Sequence, residues 1–256
     1  MTAPVPATIA NDLINTINAE MVKSTHFRSA SDLSDTTIQM LFRNAKKLIK
    51  ADARVGYRVT GMIWQLCGDH EKMVYHFKNA MHLGDDKYAI VSSMSAGCIN
   101  LGYFAEAQSH FAVCGDPRQG HFLEEAVRGL AIASYDRLCK HMAEAEKMGV
   151  DLSSIPRETI ERAAGIFSKA GFSDDDAAMM LDIAGEVMRE HRIFPSDIAQ
   201  IDVADEEWST PSCVYYTFRL PVSSEEAADM YDELSKRIAE RISPIPDAFH
   251  ISIREK

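Results

Sequence analysis

Apolar residues recur at three- and four-residue intervals from Ser34 to about His191, the spacing of one face of an α-helix. Val55, Val59, Met62, Ile63 and Leu66 form one stripe, interrupted by Gly68-Asp69. Met73, Val74, Phe77, Ala80 and Met81 form the next, ended by Gly84-Asp85-Asp86. Ile90, Val91, Met94, Cys98 and Leu101 follow, then Gly102, then Phe104, Ala107, Phe111 and Cys114, with Gly115-Asp116-Pro117 as the stop. Glycine suits these breaks because helices often end through left-handed backbone, and proline just beyond blocks continuation. A last pair runs from Pro156 to His191 and turns at Gly171; Ser173-Asp174-Asp175-Asp176 gives it a capping hydroxyl and first-turn carboxylates. Upstream, Ile9, Leu13, Ile14, Ile17 and Met21 share a helical face, with Asp12 and Glu20 among them and no basic region before them. This segment reads as an amphipathic helix covering one end of a helical domain, not as a signal peptide.

Beyond Ile193-Phe194-Pro195 the period changes to two. Ile201 and Val203 alternate with polar residues, 205–212 reads as a loop, and from Cys213 to Val222 the alternation is clear. There Val214, Tyr216, Phe218 and Leu220 face one way and Tyr215, Thr217 and Arg219 the other, the pattern of a strand. Ser223-Ser224-Glu225-Glu226 is a capping box opening a helix whose stripe is Ala227, Tyr231, Leu234, Ile238 and Ile242. Ser243-Pro244-Ile245-Pro246-Asp247 breaks it, and Phe249, Ile251 and Ile253 then alternate with His250, Ser252 and Arg254. The expected organisation is a helical domain over 1–194 and a small ββαβ module over 195–256, with a right-handed parallel crossover. One helix covers one face of the sheet. The other face carries Tyr215, Thr217, Arg219, His250, Ser252 and Arg254, and is solvated, packs on the helical domain, or binds an anionic or aromatic partner.

Two of the helix pairs share a period: Gly68 and Gly102 are separated by the same interval as Phe77 and Phe111. On these residues the chain resembles a tetratricopeptide (TPR) repeat protein, whose unit has the same length, about 34 residues. The matching positions are Gly61, Trp64, Gly68, Phe77 and Ala80 in the unit from Arg54, and Ser95, Cys98, Gly102, Ala107, Phe111 and Cys114 in the unit from Tyr88. The likeness is best across these two units. Ile38, Phe42 and Ala45 fit the second helix of a preceding unit, and 122–148 fits a third, with Gly129 at the helix crossing. The family's closing proline is replaced by Asp85 in the first unit. The resemblance implies a mostly α fold of stacked helical hairpins, an α-solenoid, with a protein or peptide segment held on its concave wall. Its inner-wall positions fall on Val55, Arg58, Met62 and Gln65; on Ala89, Ser92, Ala96 and Ile99; and on Leu123, Ala126 and Leu130. The Lys/Asn set with which some members grip a terminal carboxylate is absent, Met62, Ser93, Leu123 and Val127 standing there, so a hydrophobic strand or helix is the expected ligand.

Composition narrows the picture further. The 256 residues carry 27 Lys+Arg against 38 Asp+Glu, a formal charge of −11, which speaks against nucleic acid and anionic membranes as partners. Five cysteines without a C-x-x-C pair argue against a disulfide framework or thiolate zinc site, and for a reducing, cytoplasmic setting. No nucleophile elbow, phosphate loop, dinucleotide turn or H-E-x-x-H pair is present. His70, His76 and His82 recur every six residues and so diverge around a helix, and Asp69-His70-Glu71 reads as an exposed turn. Asp174–Asp176 lacks calcium-loop spacing, and His121-x-x-Glu124 lacks the second motif of a di-metal bundle. No catalytic residue, metal or cofactor is expected. The chain thus reads as a non-enzymatic adaptor whose C-terminal module dimerises or makes a second contact. Two alternatives stay open: a ligand-sensing regulator or small enzyme using Arg219, His250 and Arg254 as anion contacts, and a secretion chaperone or toxin- or phage-related inhibitor.

Overall fold

Evenly spaced aspartates start four successive helices. Asp35, Asp52, Asp69 and Asp86 each accept the backbone N–H three residues on, from Ile38, Val55, Lys72 and Ala89. The helices they open are α2 (Thr36–Ala51), α3 (Ala53–Leu66), α4 (His70–His82) and α5 (Lys87–Asn100). Each such carboxylate satisfies an N–H that the helix leaves without an internal partner. The next position in this series is Tyr103, which starts α6 (Phe104–Cys114) and has no capping side chain. The computed structural model that provides these observations describes residues 6–194, 199–204 and 211–256. The expected change of domain at Pro195 and most of the expected loop over 205–212 lie outside the described residues.

The remaining helices are α1 (Pro6–Lys23), α7 (Phe122–Ala131), α8 (Tyr135–Lys147), α9 (Arg157–Ala170), α10 (Asp174–Glu190) and α11 (Ser224–Arg241). A 3-10 turn at Pro117–Gln119 precedes α7. None of the helices among the described residues is long and apolar enough to cross a membrane.

One turn recurs between the helices of a pair. Asp69 N–H donates to the Trp64 carbonyl, Tyr103 to Cys98, and Ser134 to Gly129. The left-handed residue in each is Gly68 (φ 75°), Gly102 (φ 69°) and Ala133 (φ 51°). Ala133 carries no glycine signal and is fully buried. It follows Gly102 more closely than Gly102 follows Gly68, so the α7–α8 pair falls three positions short of the repeat period. Within pairs, α3 packs on α4 and α5 on α6; between pairs, α4 packs on α5. Gly61 is needed at the first crossing, since a β-carbon there would sit 3.0 Å from the Phe77 ring. Helix α1 lies along α2 and α3, joined by Leu13, Ile17, Leu41, Val59 and Ile63.

Helix α10 departs from the hairpin pattern. It follows α9 through the expected turn at Gly171 (φ 64°) but packs chiefly on α6 and α11. Gly102 and Gly185 touch backbone to backbone, and a β-carbon on Gly185 would collide with the Gly102 carbonyl. This approach aims two α10 carboxylates at uncapped helix starts. Asp182 Oδ1 accepts from Phe104 N (2.5 Å) and Ala105 N (3.2 Å) at α6. Asp174 accepts from Asp136 N (3.1 Å) and Arg137 N (3.0 Å) at α8, whose own Ser134 makes no capping bond. Burial pushes both carboxyls above the usual carboxylate range, while these N–H bonds pull them back. Past α10 the chain pairs with the α1–α2 linker, Phe27 N donating to Arg192 O and Phe194 N to Thr25 O.

The C-terminal strands are β1 (Gln200–Ala204), β2 (Cys213–Leu220) and β3 (Phe249–Glu255), in the order β1-β2-β3. β1 is antiparallel to β2 and β2 parallel to β3, as the ββαβ reading requires. The apolar face is not covered by α11 alone. Val214, Tyr216, Phe218, Phe249 and Ile251 join the same buried cluster as Phe77, Phe111 and Phe167. Phe104 meets Phe218 at 5.7 Å, Phe167 meets Phe249 at 5.5 Å, and the Tyr216 hydroxyl donates to the Ala131 carbonyl. The helices claim the apolar face because only that face offers them area to bury. The polar face stays open.

Asp182→Ala and Asp174→Ala are each expected to destabilise the chain by about 1–2 kcal/mol, and their effects to add, because they cap different helices. Chemical denaturation of both single variants and the double variant measures this. Gly185→Ala is expected to cost about 1–3 kcal/mol through overpacking, read as a fall of several degrees in thermal midpoint.

Candidate functional site

The wall positions implied by the repeat resemblance divide into three groups. On α3, Val55 and Met62 are half-buried against α1 and its neighbours, and Gln65 is 5% exposed, with Nε2 3.8 Å from Met21 Sδ. Helix α1 therefore covers this end of the wall, and Gln65 is not open to a partner. Arg58 is engaged as well, its Nη1 3.4 Å from Asp85, the residue standing where the family has proline. On α5, Ala89 is exposed and Ser92, Ala96 and Ile99 are half-buried. On α7, Leu123 is exposed and Leu130 half-buried, but Ala126 is 2% exposed and belongs to the core. The shortening of the third pair accounts for the burial of Ala126: counting back from the Ala133 turn makes Leu123, Val127 and Leu130 the counterparts of Ser92, Ala96 and Ile99, and Val127 is 45% exposed.

A depression of about 400 Å³ opens between α5 and α7. Asp86, Tyr88, Ala89 and Ser92 line one side, and Cys114, Gln119, His121, Glu124 and Glu125 the other. Its floor is a buried carboxylate. Glu125 is 1% exposed and is held by an ion pair to Arg128, by Ser92 Oγ donating to Oε1 (2.6 Å) and by Cys114 Sγ donating to Oε2 (3.2 Å). Arg128 Nη1 also donates to Ser92 Oγ at 2.8 Å. These contacts tie α5, α6 and α7 together and neutralise Glu125. Glu124, by contrast, is exposed and has no ion-pair partner among the described residues. The mouth of the depression is thus acidic, flanked by the exposed apolar side chains of Leu123 and Val127.

The residues read as anion contacts do converge. Arg219, His250 and Arg254 line one depression of about 280 Å³ on the polar sheet face, with Gln200, Asp202, Tyr215, Thr217 and Ser252. Arg219 and Arg254 are direct cross-strand neighbours, an arrangement that like charges disfavour. Arg219 Nε donates to Gln200 Oε1 (3.1 Å), whereas Arg254 has no ion-pair or hydrogen-bond partner among the described residues. His250 Nε2 lies 3.3 Å from the Tyr231 hydroxyl.

A third cluster was not legible in the sequence. His70 opens α4 and is half-buried, contrary to its reading as part of an exposed turn. Its Nε2 lies 2.8 Å from Glu106 Oε2 and 3.9 Å from Cys98 Sγ, and His110 Nε2 lies 3.4 Å from Glu106 Oε1. Both histidines hold the Glu106 carboxyl well below its usual range. The one sequence signal available was Glu106-x-x-x-His110, which puts two polar side chains on one face of α6. Cys98, Cys114 and Cys213 are buried and Cys67 and Cys139 half-buried; burial raises the thiol of Cys139 to about 11, and those of Cys67 and Cys114 to about 12, far from reactive values.

No family model, curated protein or solved structure matches this chain.

Arg128→Met is expected to destabilise the chain by about 2 kcal/mol or more by leaving Glu125 buried and unpaired, somewhat less than for a fully buried pair because Arg128 keeps a solvent-facing side. Adding Glu125→Gln is expected to recover part of that loss. Urea denaturation of the single and double variants provides the comparison.

Proposed function

We propose that the protein is an interaction module of TPR-like architecture that holds a segment of a protein partner in the groove between α5 and α7. The recurring turn and the aspartate caps at half the repeat period support a repeat ancestry for the helix pairs. The observation that carries the binding site is the open depression at Ala89 and Ser92, built by two successive helix pairs and walled by Asp86 and Glu124. Acidic side chains at the mouth and a net charge of −11 favour a cationic ligand. The segment that fits has a Lys or Arg entering the depression and an apolar residue lying over Leu123 and Val127. This modifies the purely hydrophobic ligand expected from the wall composition, because α1 covers the apolar α3 end. Binding needs no chemistry from the chain.

Panning a displayed peptide library on the full chain is expected to enrich segments pairing Lys or Arg with a neighbouring large apolar residue. A representative peptide is expected to bind at least tenfold more weakly to Asp86→Asn/Glu124→Lys, in which asparagine keeps the cap of α5, with helicity unchanged by circular dichroism, and to weaken as salt rises. Enrichment of acidic segments, or undiminished binding to the double variant, would refute the assignment.

A second reading rests on the juxtaposition of Arg219 and Arg254 across β2 and β3. An anion seated between them relieves their repulsion, and the polar sheet face then serves as a regulatory ligand site. Anionic metabolites that raise the thermal midpoint of the wild type but not of Arg219→Gln/Arg254→Gln support this reading; equal shifts in both count against it.

A further inference from the structure

We propose that His70, Cys98 and Glu106 form a zinc site that fastens the start of α4 to α5 and α6, with His110 positioning the Glu106 carboxylate. The three donor atoms lie within 4.8 Å of one another, from three different helices. Donors of a tetrahedral zinc stand about 3.3–3.6 Å apart, given Zn–N and Zn–O distances near 2.0–2.2 Å and Zn–S near 2.3 Å. The present separations bracket that value: 2.8 Å between His70 Nε2 and Glu106 Oε2, and 3.9 Å between His70 Nε2 and Cys98 Sγ. An ion entering replaces the His70–Glu106 contact and needs only small side-chain shifts at these two pairs.

The chemistry of the donor set points the same way. Nitrogen, sulfur and carboxylate oxygen together match borderline-soft zinc better than a hard cation such as calcium or magnesium. A Cys98 thiolate and a Glu106 carboxylate carry two negative charges, which a divalent ion cancels in a place where Cys98 is fully buried. On binding, the thiol proton leaves to bulk water and the sulfur lone pair forms the Zn–S bond. The His70 ring is held in place, stacked on Tyr103 at 4.1 Å, with the Arg189 guanidinium over the same tyrosine ring. His110 Nε2 is buried and makes no hydrogen bond of good geometry, yet sits 3.4 Å from Glu106 Oε1, where it can orient a coordinated carboxylate. Glu106 is about one-third exposed, which leaves a route for the ion.

A catalytic Cys–His–Glu relay does not account for the same residues. Cys98 and Glu106 both approach His70 at Nε2, so the ring cannot take a proton from one on one nitrogen and present the other nitrogen to the acid. Burial also pushes the free Cys98 thiol far above the range of a nucleophile.

Titrating the chelator-treated full chain with Co²⁺ tests the site. The expected result is the intense visible spectrum of four-coordinate cobalt with a near-ultraviolet thiolate charge-transfer band, erased by one equivalent of Zn²⁺. Cys98→Ser is expected to abolish the charge-transfer band, and His70→Gln or Glu106→Gln to weaken binding at least a hundredfold. His110→Ala is expected to weaken it about 10–100-fold while keeping the band, as a positioning residue should. A weak octahedral spectrum in the wild type, or a thiolate band that survives Cys98→Ser, would overturn the site. Should Cys98→Ser fail to fold, the partly exposed Glu106 decides: unchanged cobalt affinity in Glu106→Gln refutes the proposal, and a hundredfold loss sustains it.

Discussion

The starts of α6 and α8 are satisfied by carboxylates that belong to neither helix. Asp182 and Asp174 lie just over two turns apart on α10, so both point to the same side of that helix and reach two neighbouring N-termini at once. The contact demands close approach, which Gly102 and Gly185 provide by offering no side chain between the two backbones. The elements beyond α10 pack on it and on the helix pairs together. The chain leaving α10 meets the α1–α2 linker at Phe27 and Phe194, and α11 packs on α10 while covering β3. The sheet is thereby laid with its apolar face on Phe104 and Phe167.

The consequence is that the helix pairs are closed on one side and open on another. α10 and the sheet bury the flank formed by α6 and its neighbours, and α1 covers the α3 end of the opposite wall. The depression between α5 and α7 stays accessible; there a charge-paired Glu125 ties the helices and Asp86 and Glu124 leave an acidic rim. A groove so bounded is short, and its chemistry differs from that of the wall positions as a whole: acidic at its rim, with a charge-paired carboxylate at its floor. The His70–Cys98–Glu106 cluster belongs to neither surface. It sits where the turn into α4 meets α5 and α6, and a cation there would brace the first two helix pairs.

Much of the architecture was legible from residue pattern alone. The helices from α1 to α6, the turns at Gly68, Gly102 and Gly171, and the ββαβ order follow from periodicity and from glycine, proline and capping residues, which act within a few residues of themselves. The convergence of Arg219, His250 and Arg254 followed from strand alternation, since period two fixes which side chains share a face. The burial of Cys98 and Cys114 followed from their positions on apolar stripes.

What depended on contacts between distant segments was not legible. The third pair's register rests on Ala133, a residue whose left-handed backbone is imposed by its surroundings and announced by nothing in its type, so the expected open position fell on Ala126, which is buried, while Val127 is exposed. The cover over Gln65 comes from Met21, far earlier in the chain, and the cap of α6 from a carboxylate far later. His70, Cys98, Glu106 and His110 make no motif in order along the chain and meet only because α4, α5 and α6 pack side by side. Local hydrogen bonding and hydrophobic spacing thus determined the elements and their faces. Which faces meet, and which polar groups are left together, was settled by burial of the whole apolar set at once, a condition no single stretch of sequence contains.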